Sequence, residues 1–270
     1  MGLEADKALL QGKHIKALLL DLDGTLYFKG VQIPRADQAL VALREMGIRV
    51  CFLTNTDSKT ASTVHRELAA MGLTIEEETV FSAASAGVRF LMQHPGKRSY
   101  CLVSNELAAE FAPFLADEGA VDYVVVGDFR DSVSYEVLNT AFRYVMEGAE
   151  IIALQKGRYF VNTEGNNLDT GAFVQLLEYG SGKTARVLGK PSPDFFRMAA
   201  AQVRCSPEEI VVVGDDVTTD IVGARALGAL SVLVRTGKYS DETLACSAVK
   251  PDLIVDSIAD VPPLLAEIAR

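Results

Sequence analysis

The chain has 270 residues, is 49% hydrophobic and carries a formal net charge of −10. This is enough apolar material for one large core or two smaller ones, and it excludes a disordered, collagen-like or disulfide-stapled chain. The acidic balance argues against a general nucleic-acid binder, which would show a basic face, and an anionic substrate would need a local cation.

Cys51, Cys101, Cys205 and Cys246 are scattered, with no Cys-x-x-Cys pair. That spacing fits a reducing compartment without structural disulfides, and Cys51 in its apolar run reads as a buried thiol. His14, His65 and His94 lack metal-ligand spacing, so zinc is not expected. The stretch MGLEADKALLQGK has neither the basic start nor the apolar core of a signal peptide. Asp6 stands where a myristoylation pattern needs Ser or Thr. No apolar run approaches membrane-spanning length, and the expected location is cytoplasmic, with no membrane partner.

In chain order, IKALLL (15–20) reads as a buried strand. Ala36, Ala39, Leu40, Leu43 and Met46 then recur at helical spacing over 35–46. IRVCFL (48–53) is the next strand, and Val64, Leu68 and Met71 mark a second amphipathic helix. Strands are expected in RSYCLVSN, DYVVVGDF, IIALQ and RYFVNT, with helices over 106–115 and 134–147. Residues 161–171 (VNTEGNNLDTG) read as a loop from their Gly and Asn content. GSGKT (180–184) is not a P-loop, because Leu177 stands where that motif needs its first Gly, and it reads as a loop closing an inserted domain. EEIVVVGD (208–215) is a strand, 219–228 a short helix ended by Gly228, and LSVLVRT (230–236) another strand. Strands alternating with helices predict an α/β fold, a doubly wound parallel sheet covered on both faces. The expected organisation is a core of 1–84 and 185–270 interrupted by an inserted domain over 85–184.

Open α/β sheets bind ligands beyond the carboxyl ends of their strands. Three of the expected strands end in Asp21-Leu22-Asp23-Gly24-Thr25, in Thr54-Asn55-Thr56, and in Gly214-Asp215-Asp216 with Asp220 close behind. VLGKPSPDFF places Lys190 ahead of a helix start, with Ser192 as N-cap and Pro193 as first helical residue. Singly, each has a purely structural alternative: Asp-Gly a tight hairpin turn, TNT a loop, GDD a cap, GKPSP a helix entry. Together they supply carboxylates from two strands, a hydroxyl from another, and a lysine. Two like charges ~4 Å apart repel by roughly 4 kcal/mol at an effective dielectric near ~20, so gathered carboxylates call for a cation. Hard oxygen donors without His or Cys select Mg²⁺, which bridges carboxylates and a substrate phosphate. A lysine and a hydroxyl beside it suit a phosphoryl group, so the residues point to Mg²⁺-dependent phosphoryl chemistry.

With these four segments in this order, the chain resembles the haloacid dehalogenase (HAD) superfamily. Asp21–Thr25 matches its DxDGT motif, Thr54 its second, Lys190 in LGKPSP its third, and Gly214, Asp215 and Asp220 its GDxxxxD motif. The insert resembles the C2-type cap of the NagD-like subfamily, and FLTNT, GKPSP and VRTGKY resemble the phospholysine phosphohistidine inorganic pyrophosphate phosphatase branch. The resemblance implies a HAD core with an inserted α/β cap, and a phosphatase acting on a small phosphorylated metabolite, with pyrophosphate and phosphoramide bonds as further targets. It implies Asp21 as nucleophile and Asp23 as general acid and then base. Mg²⁺ would be held by the Asp21 carboxylate, the Asp23 backbone carbonyl and Asp215. Gly24, Thr54, the Asn55 N–H and Lys190 would hold phosphoryl oxygens, and Asp216 and Asp220 would act through water or by orienting Lys190. Thr56 departs from the frequent TNN and bears on specificity. The segment 155–172, with Lys156 and Arg158, is the candidate reader of the leaving group, and cap-to-cap homodimerisation is a family expectation. The competing readings are a phosphate-binding or interaction module without turnover, a phosphomutase, and a dehalogenase, the last disfavoured by Asp23.

Overall fold

A computed structural model describes residues 12–116, 119–162 and 164–268. The readings made on the first eleven residues, Asp6 included, lie outside the described residues, as does Thr163 in the 155–172 segment. In chain order the strands are β1 (Ala17–Asp21), β2 (Tyr27–Phe28), β3 (Val31–Gln32), β4 (Arg49–Thr54), β5 (Val80–Ser82), β6 (Ser99–Leu102) and β7 (Tyr123–Val126). They continue as β8 (Glu150–Ala153), β9 (Tyr159–Asn162), β10 (Gly165–Leu168), β11 (Arg186–Val187), β12 (Ile210–Gly214), β13 (Leu230–Val234) and β14 (Leu253–Val255). The chain divides into two compact units. One holds the chain up to Thr54, Ser62–Phe81 and everything from Lys190 onward; the other holds Asn55–Ala61 and Ser82–Gly189.

In the first unit a six-stranded sheet runs β14-β13-β12-β1-β4-β5. The central strands are parallel, with Leu20 opposite Val213 on one side and Phe52 on the other. Every residue of β1, β12 and β13 is buried, as strands covered on both faces must be, which is why they read as unbroken apolar runs. The expected helices form at Ala36–Glu45 and Ala61–Ala70, burying the apolar stripes read from the sequence apart from the exposed Met46 and from Met71, which lies one residue past its helix and is half-buried. Pro193 opens the helix Pro193–Val203, and Ser192 holds its N-cap position without a side-chain capping bond, so that expected contact is not made. The expected helix over 219–228 begins instead as a π-turn over Val217–Ile221 before the α-helix Val222–Leu227 stops at Gly228.

The second unit has its own parallel sheet, β11-β8-β7-β6. Its core gathers Val124, Val126, Phe129, Ala141, Val145, Ile151, Val174 and Leu177 among others. The helix Tyr135–Glu147 starts where Ser134 accepts the Val137 N–H at 3.2 Å. The helix expected over 106–115 shrinks to Ala108–Phe111 followed by a 3₁₀ turn, because Pro113 cannot donate the next helical bond. The loop expected over 161–171 is corrected as well. Gly165–Leu168 pairs antiparallel with β9, placing Leu168 opposite Tyr159. No residue of that strand is buried, so backbone pairing holds it and the sequence carries no apolar periodicity to announce it. In GSGKT, Gly182 caps the helix Thr170–Ser181 in the left-handed region, and the Lys183 ammonium donates to the Val145 carbonyl near the end of the neighbouring helix.

Packing around Gly223 sets a firm limit in the first unit. A Cβ there would lie 1.9 Å from the ring of Phe196, which is itself fully buried. Gly223→Ala is therefore expected to cost about 1–3 kcal/mol by overpacking, read as a lower urea midpoint with an unchanged slope.

Candidate active site

The site is built from the carboxyl end of β1. Asp21 is the last residue of the strand and is 6% exposed. The Leu22 carbonyl then accepts the N–H groups of Thr25, Leu26 and Tyr27, and the Gly24 N–H donates to the Tyr27 carbonyl at 2.6 Å. This reversal returns the chain so that the Thr25 hydroxyl donates to Asp21 Oδ2 at 3.1 Å. Asp23-Gly24 thus starts a tight turn, but the hairpin turn of the β2–β3 flap is Lys29-Gly30. Both of those residues have positive φ, as a two-residue type I′ turn requires.

The neighbouring strand β12 delivers Asp215, 3% exposed, directly after Gly214. Asp215 Oδ2 accepts the Lys238 N–H at 2.6 Å. Gly24 and Gly237 allow this close approach, since a Cβ on either would fall within 2.0 Å of that carboxylate. Thr236 closes the arrangement by donating its hydroxyl to the Gly24 carbonyl at 2.5 Å. Asp220, 1% exposed, is turned inward by the π-turn.

Lys190 joins these pieces. Its ammonium donates to Asp21 Oδ1 and, at 2.8 Å, to Asp220 Oδ1. Carboxylate oxygens of Asp21, Asp215 and Asp220 all lie within 4.8 Å of one another. Burial opposes the charge on Lys190, but the two carboxylates outweigh it and raise its pKa, so the ammonium is held protonated. Burial, followed by the charges of Asp21 and Asp220, raises the pKa of Asp215. Burial also raises that of Asp220, against the pull of Lys190. Three buried carboxylates against one ammonium leave surplus negative charge, and an all-oxygen donor set of this kind fits a hard divalent cation.

Of the residues singled out in the sequence, Thr54 is buried at the end of β4, one residue past the Leu53 that pairs with Asp21. Asp23 faces solvent, yet crowding around its carboxyl, and then the charge of Asp21, raises its pKa. Asp216 accepts the N–H and hydroxyl of Thr218 at 2.8 and 2.6 Å, so its carboxylate caps the π-turn, whereas Asp220 is the one that grips Lys190. Asn55 belongs to the second unit. Lys156, offered as an anion contact, is engaged by both oxygens of the buried Glu178 at 2.8 and 2.7 Å, while Arg158 is exposed. The sequence reading assigned Thr236, Gly237 and Lys238 no role at the site, although VRTGKY carried part of the resemblance. They follow β13, a fourth strand with a polar end, and the rule that found the other three ends applies to them equally.

Replacing Lys190 with Met would strand Asp21 and Asp220 without their cation, at an expected cost of about 3–5 kcal/mol at neutral pH. Stranded carboxylates hold protons more tightly in the fold than in the unfolded chain, so the deficit against wild type shrinks as pH falls. Urea unfolding of both proteins at pH 5 and pH 7.5 checks the size and the sign.

Comparison with known proteins gives the family of the chain. Residues 18–114 match the family described as haloacid dehalogenase-like hydrolase, and residues 187–261 match a second, HAD-hydrolase-like, description. The chain is 36% identical to phospholysine phosphohistidine inorganic pyrophosphate phosphatase of Xenopus laevis, over 93% of this chain and 94% of that one. It is also 36% identical to human haloacid dehalogenase-like hydrolase domain-containing protein 2, over 85% and 88% of the two chains. Among solved structures, 4-nitrophenylphosphatase of Thermotoga maritima superposes with a TM-score of 0.85 at 26% identity, covering 96% of this chain and 97% of that one. NagD of E. coli K-12 superposes with the same TM-score at 28% identity, covering 92% and 98%. The chain belongs to the haloacid dehalogenase-like hydrolases, as a NagD-like phosphatase with a HAD core and an inserted cap.

Proposed function

We propose that the protein is a Mg²⁺-dependent phosphatase that hydrolyses a small phosphomonoester through an aspartyl-phosphate on Asp21. The observation that carries this reading is the buried cluster of Asp21, Asp215 and Asp220, with Lys190 bonded to the first and the last. Mg²⁺ would be held by the carboxylates of Asp21 and Asp215 and the backbone carbonyl of Asp23, and when bound would neutralise charge on the transferring phosphoryl group.

A carboxylate oxygen of Asp21 attacks phosphorus and the bond from phosphorus to the leaving oxygen breaks. Asp23, whose raised pKa favours keeping a proton, donates that proton to the leaving oxygen. As a carboxylate it then takes a proton from water, which attacks phosphorus, releases inorganic phosphate and restores Asp21. Lys190, held protonated, offsets charge on Asp21 and on a phosphoryl oxygen. Thr54 supplies a hydroxyl, and Gly24 and the Asn55 N–H supply further contacts to that group.

The relatives named for phospholysine, phosphohistidine and pyrophosphate extend the proposed substrates to small P–N and P–O–P compounds. The second unit is the proposed reader of the leaving group, through 155–172. With Lys156 paired to Glu178, Arg158 is the cation of that segment left for an anionic substrate. No helix among the described residues is long and apolar enough to cross a membrane. We place the chain in the cytoplasm, where phosphorylated metabolites are found, and take pairing through the cap as the family expectation for its assembly.

Purified protein is expected to release phosphate from 4-nitrophenyl phosphate with Mg²⁺ and to lose that activity in EDTA. Asp21→Asn should lower kcat by on the order of 10³-fold or more while still binding phosphate. Equal turnover by Asp21→Asn and wild type would overturn the covalent route.

A further inference from the structure

Directly after Thr54, the segment Asn55–Ala61 belongs to the second unit, although the chain on either side of it belongs to the first. Polar bonds hold it there. The Ala84 N–H donates to the Thr56 carbonyl at 3.4 Å, and the Ser104 hydroxyl donates to the Ser58 carbonyl at 2.7 Å. Thr60 donates its N–H and hydroxyl to Glu106 at 2.8 and 3.1 Å. Asp57 is the one buried residue of the segment, 5% exposed, and its Oδ2 accepts the hydroxyl of Thr170 at 2.6 Å.

Thr170 is the first residue of the helix Thr170–Ser181, and Asp169 is its N-cap. Asp169 Oδ1 accepts the Thr170 N–H at 2.8 Å and the Gln155 amide at 2.7 Å. The charged groups facing Asp57 are Asp169, Asp128, and the Arg130 guanidinium that pairs with Asp128. Burial pushes the Asp57 carboxyl up to about 7; the Thr170 hydroxyl opposes this, Asp169 and Asp128 add to it, and Gln155 opposes it. An apolar side chain would fill the space without that desolvation cost, so the carboxyl is there for its directional bond.

We propose that Asp57 is a positioning residue for phosphoryl binding: bonded to Thr170, it fixes Asn55–Ala61 to the second unit and thereby sets the place of the Asn55 N–H. The proposal rests on the phosphatase reading above. Asn55 serves the phosphoryl group, which every substrate shares, so loss of the anchor penalises all substrates alike and not one leaving group over another. Asp57 Oδ2 accepts the Thr170 hydroxyl, a bond that favours the ionised carboxyl, while burial, Asp169 and Asp128 oppose ionisation.

The test compares wild type with Asp57→Ala, Asp57→Asn and Thr170→Val in the full chain. Asp57→Ala and Thr170→Val are expected to lower kcat/KM by about ten- to a hundred-fold. The factor should be the same for an aryl and an alkyl phosphate, inhibition by inorganic phosphate should weaken, and amide exchange across 55–61 should quicken. Asp57→Asn keeps a carbonyl oxygen for Thr170, so it should restore most of the rate. Losses that differ between the two substrates would overturn the proposal in favour of leaving-group recognition. Wild-type kcat/KM or wild-type exchange at 55–61 in both disrupting variants would overturn it too, as would Asp57→Asn behaving no better than Asp57→Ala. Thr170→Val carries the test should Asp57→Ala not fold. Exchange and phosphate binding need no turnover, so an inactive wild type would sink the phosphatase reading and leave the anchor to be judged on those two measurements.

Discussion

The ammonium of Lys190 is the interaction on which the carboxyl edge of the first sheet depends. It lies buried between Asp21 at the end of β1 and Asp220 in the turn after β12, residues brought together from distant parts of the chain. None of the three could be buried alone, because an uncompensated charge in this environment would neutralise itself or draw in water. Together they hold one another, and burial works against the lysine less than the two carboxylates work for it. Among the described residues no lysine or arginine side chain pairs with Asp215. Burial, and then the charges of Asp21 and Asp220, raise its pKa, so the position must take up a proton or share a positive ion. The lysine makes the carboxylate cluster foldable, and the remaining imbalance makes it a candidate metal site.

Such electrostatics need close approach, and glycine provides it. A side chain on Gly24 or Gly237 would occupy the place of the Asp215 carboxylate, and one on Gly214 would meet Asp220 at 2.2 Å. Gly24 and Gly237 also have positive φ, which L side chains adopt only with strain. The DG, GD and TG pairs in the sequence are therefore one steric device used three times: a strand ends, a glycine clears space, and a charged group enters it.

The parallel core was legible because strands covered on both faces read as apolar runs, as β1, β12, β13 and the buried part of β4 from Cys51 to Leu53 do. Their polar ends were legible by contrast with those runs. Less legible was anything decided by side-chain direction within a turn. Asp216 and Asp220 both follow Gly214, and only the π-turn shows that one caps the turn while the other grips Lys190. The β9–β10 hairpin left no apolar pattern because the Gly165–Leu168 strand buries none of its residues. Lys156 looked available because the sequence cannot show that Glu178, 22 residues on, lies within 2.8 Å of it. Asp57 follows directly on Thr54-Asn55-Thr56, with nothing local to separate a buried carboxyl from a solvated one.

The unit boundaries bear on how phosphoryl chemistry and leaving-group reading are joined. The second unit has its own core and its own parallel sheet, so its sequence can change without disturbing the charge cluster of the first. The chain leaves the first unit between Thr54 and Asn55 and makes its final return between Gly189 and Lys190. Both crossings fall beside residues proposed to hold phosphoryl oxygens. Inside the second unit they also adjoin each other: a Cβ on Gly189 would lie 2.8 Å from the Asn55 side-chain oxygen and 2.6 Å from the Leu154 carbonyl. Lys190 is thus both the charge balance of the buried carboxylates and the residue with which the chain's final segment in the first unit begins, so the ion-pair cluster fixes that segment to the ends of β1 and β12.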